Sequence, residues 1–140
     1  MKAVIVNRRP VIDMIGALVQ QSAAKVHLIC PKGLGPFLPS QIAPFIEVTF
    51  LDDYDAPEVE QIVYNTCVAL GADVLISTTE ADVIRCARVR DRLGLPGQSL
   101  ESAIAFRDKL QMKTLIGQAG VSVASMARGD DMLGLSLIHI

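Results

Sequence analysis

The length, composition and charge of the chain limit the classes of protein it can belong to. With 140 residues, 51% hydrophobic and 20% charged, it can fill one core and is too short for a two-domain enzyme. A formal net charge of -2, no Trp, two Tyr and four Phe argue against a nucleic-acid surface, which needs clustered positive charge and stacking aromatic rings.

The first half of the chain alternates β-branched runs with amphipathic stretches, a pattern typical of parallel strands joined by helices. It predicts strands at 3–7, 25–30 and 46–51, with a helix following Pro10. The four prolines and two glycines between residues 31 and 44 predict a loop there with at most one helical turn.

The second half continues this alternation. A helix is predicted from Pro57 to Leu70, ended by Gly71, and then a strand at 73–77 that we expect to be buried on both faces. The next predicted helix, 80–93, carries three arginines that we expect to face solvent or a neighbouring domain, interleaved with two aspartates: Arg85, Arg88, Arg92, Asp82 and Asp91.

The end of the chain departs from this pattern. A helix capped at Ser99, a second helix from about Asp108 and a strand starting at Val121 are predicted, and no partner strand remains for them. The hexapeptide 135–140 (LSLIHI) matches no preceding pattern and resembles the translated end of a transposon-type sequencing adapter. We interpret it as a non-native tail, with a genuine short strand as the alternative.

Common catalytic motifs and targeting signals are missing from the sequence. Residues 7–10 (NRRP) follow the first strand where a dinucleotide fold carries G-x-G-x-x-G, and there is no Walker motif or G-x-S-x-G. The three Cys are far apart in sequence, and His27 lies within a strand, so we expect packing roles for them. Without a signal-peptide core or an apolar run of membrane length, a soluble, cytoplasmic protein is expected.

Four features between residues 78 and 125 follow one another in a specific order. They are a glutamate after a strand (Glu80), a helix ending in Leu-Gly-Leu-Pro-Gly (93–97), Arg-Asp-Lys followed by Met112 (107–112), and Ala-Gly-Val before a strand (119–121). In this order and spacing they resemble the amino-terminal part of ATP-grasp ligases. The resemblance is greatest to carboxylate–amine ligases, with biotin carboxylases and purine-pathway ligases as alternatives.

The resemblance implies a fold and a division into domains. The expected fold is α/β, with a three-layer open parallel sheet forming a Rossmann-like pre-ATP-grasp domain over 1–97. The helical start of an incomplete ATP-grasp domain follows over 98–134. The family's lid, second ATP-binding lysine, adenine hinge and magnesium pair would lie beyond residue 130. We therefore expect an amino-terminal fragment that is inactive alone and contains no catalytic residue or metal ligand.

The resemblance also implies a reaction and its partners. ATP phosphorylates a carboxylate, and an amine then displaces phosphate from the acyl phosphate, with Mg²⁺ neutralising the triphosphate. Lys109 matches the family's nucleotide-contacting lysine, the alternative being a solvated helix residue. Glu80 and Thr79 are candidates for substrate contact, or for dipole stabilisation and capping of the helix. Neither nucleic acid nor membrane is an expected partner, and a homo-oligomer is compatible with the sequence.

A stand-alone binding or regulatory domain with a flavodoxin-like fold is the alternative hypothesis. Such a domain needs acidic residues at strand ends to hold a metal ion or accept a phosphoryl group. Because the first strand ends in Asn7 and Arg8, the sequence favours the ligase interpretation.

Overall fold

The computed structural model describes residues 1–125, which fall into two compact units. The first unit comprises Met1–Leu100, and the second begins at Glu101. The predicted tail at 135–140, and residues 126–134 of the predicted second domain, lie outside the described residues.

The described residues form one four-stranded sheet in which every pairing is parallel. Its strands are β1 (Lys2–Val6), β2 (Lys25–Pro31), β3 (Glu47–Leu51) and β4 (Val74–Ser77), in the spatial order β3-β2-β1-β4. Strands β2 and β3 therefore lie on one side of β1, and β4 lies on the other side. This topology confirms the predicted open parallel α/β fold.

Helices connect the strands and continue beyond them. They are α1 (Ile12–Ser22), α2 (Pro39–Ile42), α3 (Glu58–Leu70), α4 (Val83–Leu93), α5 (Leu100–Arg107) and α6 (Lys109–Gln118). The proline-rich segment after β2 contains only α2 and a short 3₁₀ turn, as its composition predicts. Helix α3 ends at Gly71, whose φ of 65° and N–H bond to the Cys67 carbonyl form the predicted stop.

The sheet has a hydrophobic core on each face because successive side chains of a strand point in opposite directions. Ala3 and Ile5 of β1 belong to the core that contains α1 residues, whereas Val4 and Val6 belong to the core that contains residues of α3 and α4. Helices thus cover both faces of the sheet, which gives the predicted three layers.

Two details differ from the sequence predictions. Strand β4 is an edge strand among the described residues, and Ile76 is 43% exposed, so burial on both faces is wrong. Residues 121–125 form no strand within the described part of the chain. None of the described helices is long and apolar enough to cross a membrane.

Candidate functional site

The candidate site lies at the carboxyl ends of β1 and β4. The order of the sheet reverses between these two strands, and open α/β sheets bind ligands at such a switch point. Three connections contribute to it: residues 7–11 after β1, 52–57 after β3 and 78–82 after β4.

Asn7 connects the first of these segments to the end of β4. Its side chain is buried; the amide nitrogen donates to the Arg9 carbonyl at 2.8 Å, and the amide oxygen accepts from the Arg9 N–H at 3.1 Å. The same oxygen accepts a hydrogen bond of 2.7 Å from the Thr78 hydroxyl. These three hydrogen bonds therefore hold the turn after β1 in place without a ligand.

Asp82 is the centre of the site, and its side chain has no exposure to solvent. Its carboxylate accepts hydrogen bonds from the Thr79 hydroxyl at 2.8 Å, the Tyr54 hydroxyl at 3.0 Å and the Arg8 guanidinium at 3.2 Å. It also accepts a short bond from the Arg85 guanidinium. These five residues, Arg8, Tyr54, Thr79, Asp82 and Arg85, are called the Asp82 cluster below.

The carboxylate of Asp82 remains ionised in spite of its burial. Burial alone would raise its pKa, but hydrogen bonds from Arg8 and Thr79 and the charge of Arg85 outweigh burial and hold the pKa below its ordinary value. A buried charge with several charge-assisted donors is a stable arrangement, whereas loss of one partner leaves a costly unpaired group.

The ring of Tyr54 lies between the two guanidinium groups of the cluster. The guanidinium carbons of Arg8 and Arg85 are each 4.6 Å from the ring centroid, and Arg85 donates to the Tyr54 carbonyl at 2.9 Å. Burial, and then the charge of Asp82, raises the pKa of the Tyr54 hydroxyl, which therefore stays protonated and donates.

The arginine face predicted to be solvated is only partly so. Asp82 is fully buried and the Arg85 side chain is 12% exposed, which corrects the prediction for both residues. Arg88 pairs with Glu60 of α3 at 2.7 Å, and the Arg92 guanidinium lies 3.9 Å from the centroid of the Tyr64 ring, also on α3. The periodicity is helical as predicted, and Arg88, Asp91 and Arg92 are exposed as expected, although both arginines also contact residues of α3.

The predicted substrate residues Thr79 and Glu80 lie next to each other at this edge. Glu80 is exposed and begins a 3₁₀ turn, Glu80–Asp82, that leads into α4. The Thr79 hydroxyl donates to Asp82 and makes no capping bond to a backbone N–H, so the capping alternative is wrong. Both side chains belong to the segment that Asp82 anchors.

Lys109, the predicted nucleotide contact, belongs to the second unit. It is exposed in the first turn of α6, whose amino end is capped by the Asp108 carboxylate accepting from the Leu110 and Gln111 N–H groups at 3.0 and 3.1 Å. An open groove of about 420 Å³ within this unit is bordered by Lys113, one turn after Lys109.

Other polar and thiol groups have packing roles. The His27 Nε2 lies 2.7 Å from the Thr49 hydroxyl, within the sheet. All three cysteines are buried, and burial raises the pKa of the Cys86 thiol to about 12, so it is a poor nucleophile at neutral pH. Residues 1–125 contain no group of three or more His, Cys, Asp or Glu that could hold a metal ion.

The sequence predictions missed most of the Asp82 cluster. Neither Arg8 nor Tyr54 is assigned a role in a site from the sequence. Their position in the chain could have indicated the site. Each of the three segments follows a predicted parallel strand, and the carboxyl ends of parallel strands lie at the same edge of a sheet. Which of their side chains bond to one another depends on distances that sequence spacing does not contain.

Comparison with known proteins supports the fold and identifies proteins that the chain resembles. No protein-family model matches the chain. Alanine–anticapsin ligase of Bacillus subtilis (strain 168) is 36% identical to it over 73 residues, which are 50% of the chain and 15% of the ligase.

Solved structures resemble the chain over most of its length. The L-amino acid ligase from Bacillus licheniformis superposes with a TM-score of 0.74 at 17% identity, covering 89% of the chain and 31% of the ligase. The biotin carboxylase domain of the Hydrogenobacter thermophilus 2-oxoglutarate carboxylase, solved with magnesium ADP and bicarbonate, gives 0.71 at 14% identity, covering 90% and 29%.

These structural neighbours are ATP-grasp ligases, so the resemblance predicted from residues 78–125 is confirmed and the chain shares their fold. The chain spans less than a third of the length of each of these three proteins.

Proposed function

We propose that the chain supplies the amino-terminal part of an ATP-dependent carboxylate–amine ligase. In this proposal residues 1–97 are the pre-ATP-grasp domain and residues 98–134 begin the ATP-grasp domain. The observation that carries the proposal is the likeness to two amino-acid-joining ligases, one by sequence over half of the chain and one by fold over 89% of it.

The reaction proposed is a two-step ligation. A carboxylate oxygen of the acid attacks the γ-phosphorus of ATP, the bond to ADP breaks, and an acyl phosphate forms. The amine nitrogen then attacks the acyl carbon, phosphate leaves with the bonding electrons, and the amine loses a proton. The triphosphate needs positive charge beside it throughout the first step.

Lys109 suits the role of a nucleotide contact in this proposal. An ammonium on a flexible stem acts as a mobile point charge toward phosphate, and Lys109 is exposed at the start of α6. Lys113 beside the open groove offers a second ammonium on the same helix face. Mg²⁺ is proposed for the complete reaction, and no ligand for it is assigned to residues 1–125.

Glu80 and Thr79 are proposed to face substrate from the first unit. Their support is the location at the carboxyl edge of the sheet and the anchoring of their segment by Asp82. The flavodoxin-like alternative is less well supported, because the buried carboxylate at this edge is already occupied by four donors and is closed to a phosphoryl group.

The decisive experiment compares residues 1–140 with the full product of the reading frame that encodes them. Each is assayed for ADP release that depends on both an acid and an amine. We expect turnover from the longer product and none above background from residues 1–140. Turnover by residues 1–140, or no acid- and amine-dependent ADP release by the longer product, would contradict the proposal.

A variant pair locates the nucleotide contact within the longer product. Lys109→Ala should raise the KM for ATP at least about tenfold, since charge-assisted contacts are worth about 1.5–3 kcal/mol. Lys25→Ala, which removes an exposed lysine at the start of β2, is the matched control and should leave that KM unchanged. An equal effect of the two substitutions would remove Lys109 from the proposal.

A further inference from the structure

Arg8 has the more exposed of the two guanidinium groups in the Asp82 cluster. Its side chain is 27% exposed, while its Nε and Nη2 face the buried Asp82 carboxylate at 3.4 and 3.2 Å. Its guanidinium also stacks on the Tyr54 ring. Buried partners therefore fix the plane of this guanidinium before any ligand arrives, which lowers the entropic cost of binding through it.

Asp55 occupies the outward side of the same guanidinium. Nη2 of Arg8 donates to the Asp55 carboxylate at 2.9 Å, and the Asp55 side chain is 78% exposed. An ion pair this exposed contributes little to stability, so another anion can take the place of Asp55 at small cost. Nη1 of Arg8 donates to none of the described residues.

We propose that Arg8 binds an oxyanion, which is either a carboxylate or a phosphate group of a ligand. In the absence of that ligand, the Asp55 carboxylate occupies the position of the oxyanion. A guanidinium recognises both groups through its planar fork of donors. The exposed Arg9 adds a second cation to the same turn, while Asp53 and Glu80 are exposed acidic residues in the neighbouring segments. The inference does not depend on the ligase proposal, which assigns no role to Arg8 or Asp55.

Removal of the native ion pair between Arg8 and Asp55 should strengthen oxyanion binding. Asp55→Asn eliminates the competing carboxylate, and affinity for an oxyanion should rise about twofold to fivefold, the factor that corresponds to an exposed ion pair. Arg8→Lys loses the fixed fork, and affinity should fall at least about tenfold.

Asp52→Asn is the matched control for Asp55→Asn. Asp52 lies in the same acidic turn, is 88% exposed and pairs with Lys32 at 3.6 Å, so the substitution removes the same charge without freeing Arg8. Its effect on oxyanion affinity should stay within about a factor of 1.5, because distant exposed charges are largely screened at physiological salt.

The experiment is a nuclear magnetic resonance titration of residues 1–140 at constant ionic strength. Inorganic phosphate and sodium acetate are added in separate arms, and the Arg8 Nε–H and the backbone amides of 53–56 are followed. Saturable shifts that are stronger in Asp55→Asn support the proposal, and the more tightly bound probe identifies a phosphate or a carboxylate ligand.

Two results would overturn the inference. One is the absence of a saturable shift with both probes in the wild type and in Asp55→Asn. The other is an equal gain from Asp55→Asn and Asp52→Asn, which would mean that only the overall charge of the turn matters. Neither result bears on ligation, so the two proposals fail separately.

Discussion

The first unit and the described part of the second, residues 101–125, bury their apolar side chains to very different extents. In the first unit, the strands and α1, α3 and α4 fill two cores that include fully buried residues such as Leu28 and Val4. Among residues 101–125 only Ala103 and Ala105 are buried, whereas Phe106 is 51% and Leu115 47% exposed.

This difference separates local from long-range determinants of structure. Helix α6 has a regular cap at Asp108 and a defined end, both set by neighbouring residues in the sequence. Burial of an apolar helix face requires partners that are distant in sequence, and most helical stability in proteins comes from such packing. A helix can therefore be well specified locally and still leave its apolar side chains in water.

The largest expected effect comes from truncating the same residue type in the two units. Leu28→Ala, in a core side chain with no exposure, should lower the free energy of unfolding by about 3 kcal/mol through lost burial and the cavity left behind. Leu115→Ala should change it by no more than about 0.5 kcal/mol. Urea denaturation followed by circular dichroism and by tyrosine fluorescence measures both.

Tyrosine fluorescence isolates the first unit, because the chain has no Trp and its two Tyr, Tyr54 and Tyr64, both lie there. If Leu115→Ala were as damaging as Leu28→Ala by this probe, the contrast in burial between the units would not describe their energetics.

The next effect tests whether Asp82 holds the carboxyl edge of the first unit together. Asp82→Asn leaves Arg8 and Arg85 without their buried counter-charge and should cost about 3 kcal/mol of unfolding free energy. Asp55→Asn removes the exposed partner of Arg8 and should cost less than about 1 kcal/mol. Similar losses in the two variants, measured by urea denaturation, would show that burial of the carboxylate contributes nothing.

The architecture of the first unit could be predicted from sequence because its signals are local and repetitive. Short β-branched runs, helical spacing of apolar residues and Gly71 define the strands, α1 and α3 within a residue or two, whereas α4 begins three residues after its predicted start at residue 80. The exposure of Ile76 could not be predicted this way, since a strand's apolar sequence does not tell whether it lies at the sheet's edge.

The candidate site was predictable as a location but not as a set of contacts. Thr79 and Glu80 lie at the carboxyl edge of the sheet, yet the partner of Thr79 is Asp82, which the charge pattern of residues 80–93 assigns to solvent. Arg8 and Asp82 are 74 positions apart, and no periodicity links such residues. A pattern of charged residues predicts a solvated helix face only if no cation or aromatic ring from a distant part of the sequence packs against that face.

A smaller effect on unfolding free energy is expected from substitutions at the helix ends of the two units. Gly71 in the first unit and Gly120 in the second have φ values of 65° and 89°, which L side chains rarely adopt. Gly71→Ala should cost about 1 kcal/mol and shift the tyrosine-detected transition to lower urea. Gly120→Ala carries similar strain but should leave that transition in place, and an equal shift would show that the units unfold together.

The smallest effect is a pH dependence confined to the first unit. Burial, only partly offset by the charge of Glu47, lowers the pKa of His27 below its ordinary value of 6.5. The unfolded chain therefore takes up a proton at His27 before the folded chain does, so unfolding free energy is greatest above about pH 6.5 and falls as the pH decreases toward the folded pKa.

Three variants assign this slope to His27 when urea denaturation is repeated between pH 7.5 and 5.5. His27→Gln should abolish its contribution, whereas Glu47→Gln should steepen the decline because the nearby carboxylate, 3.6 Å from the ring, favours the protonated form. The double variant His27→Gln/Glu47→Gln is the control and should show the same slope as His27→Gln alone. A gain in stability on acidification would mean that the ion pair with Glu47 outweighs burial, which reverses the order of the two causes.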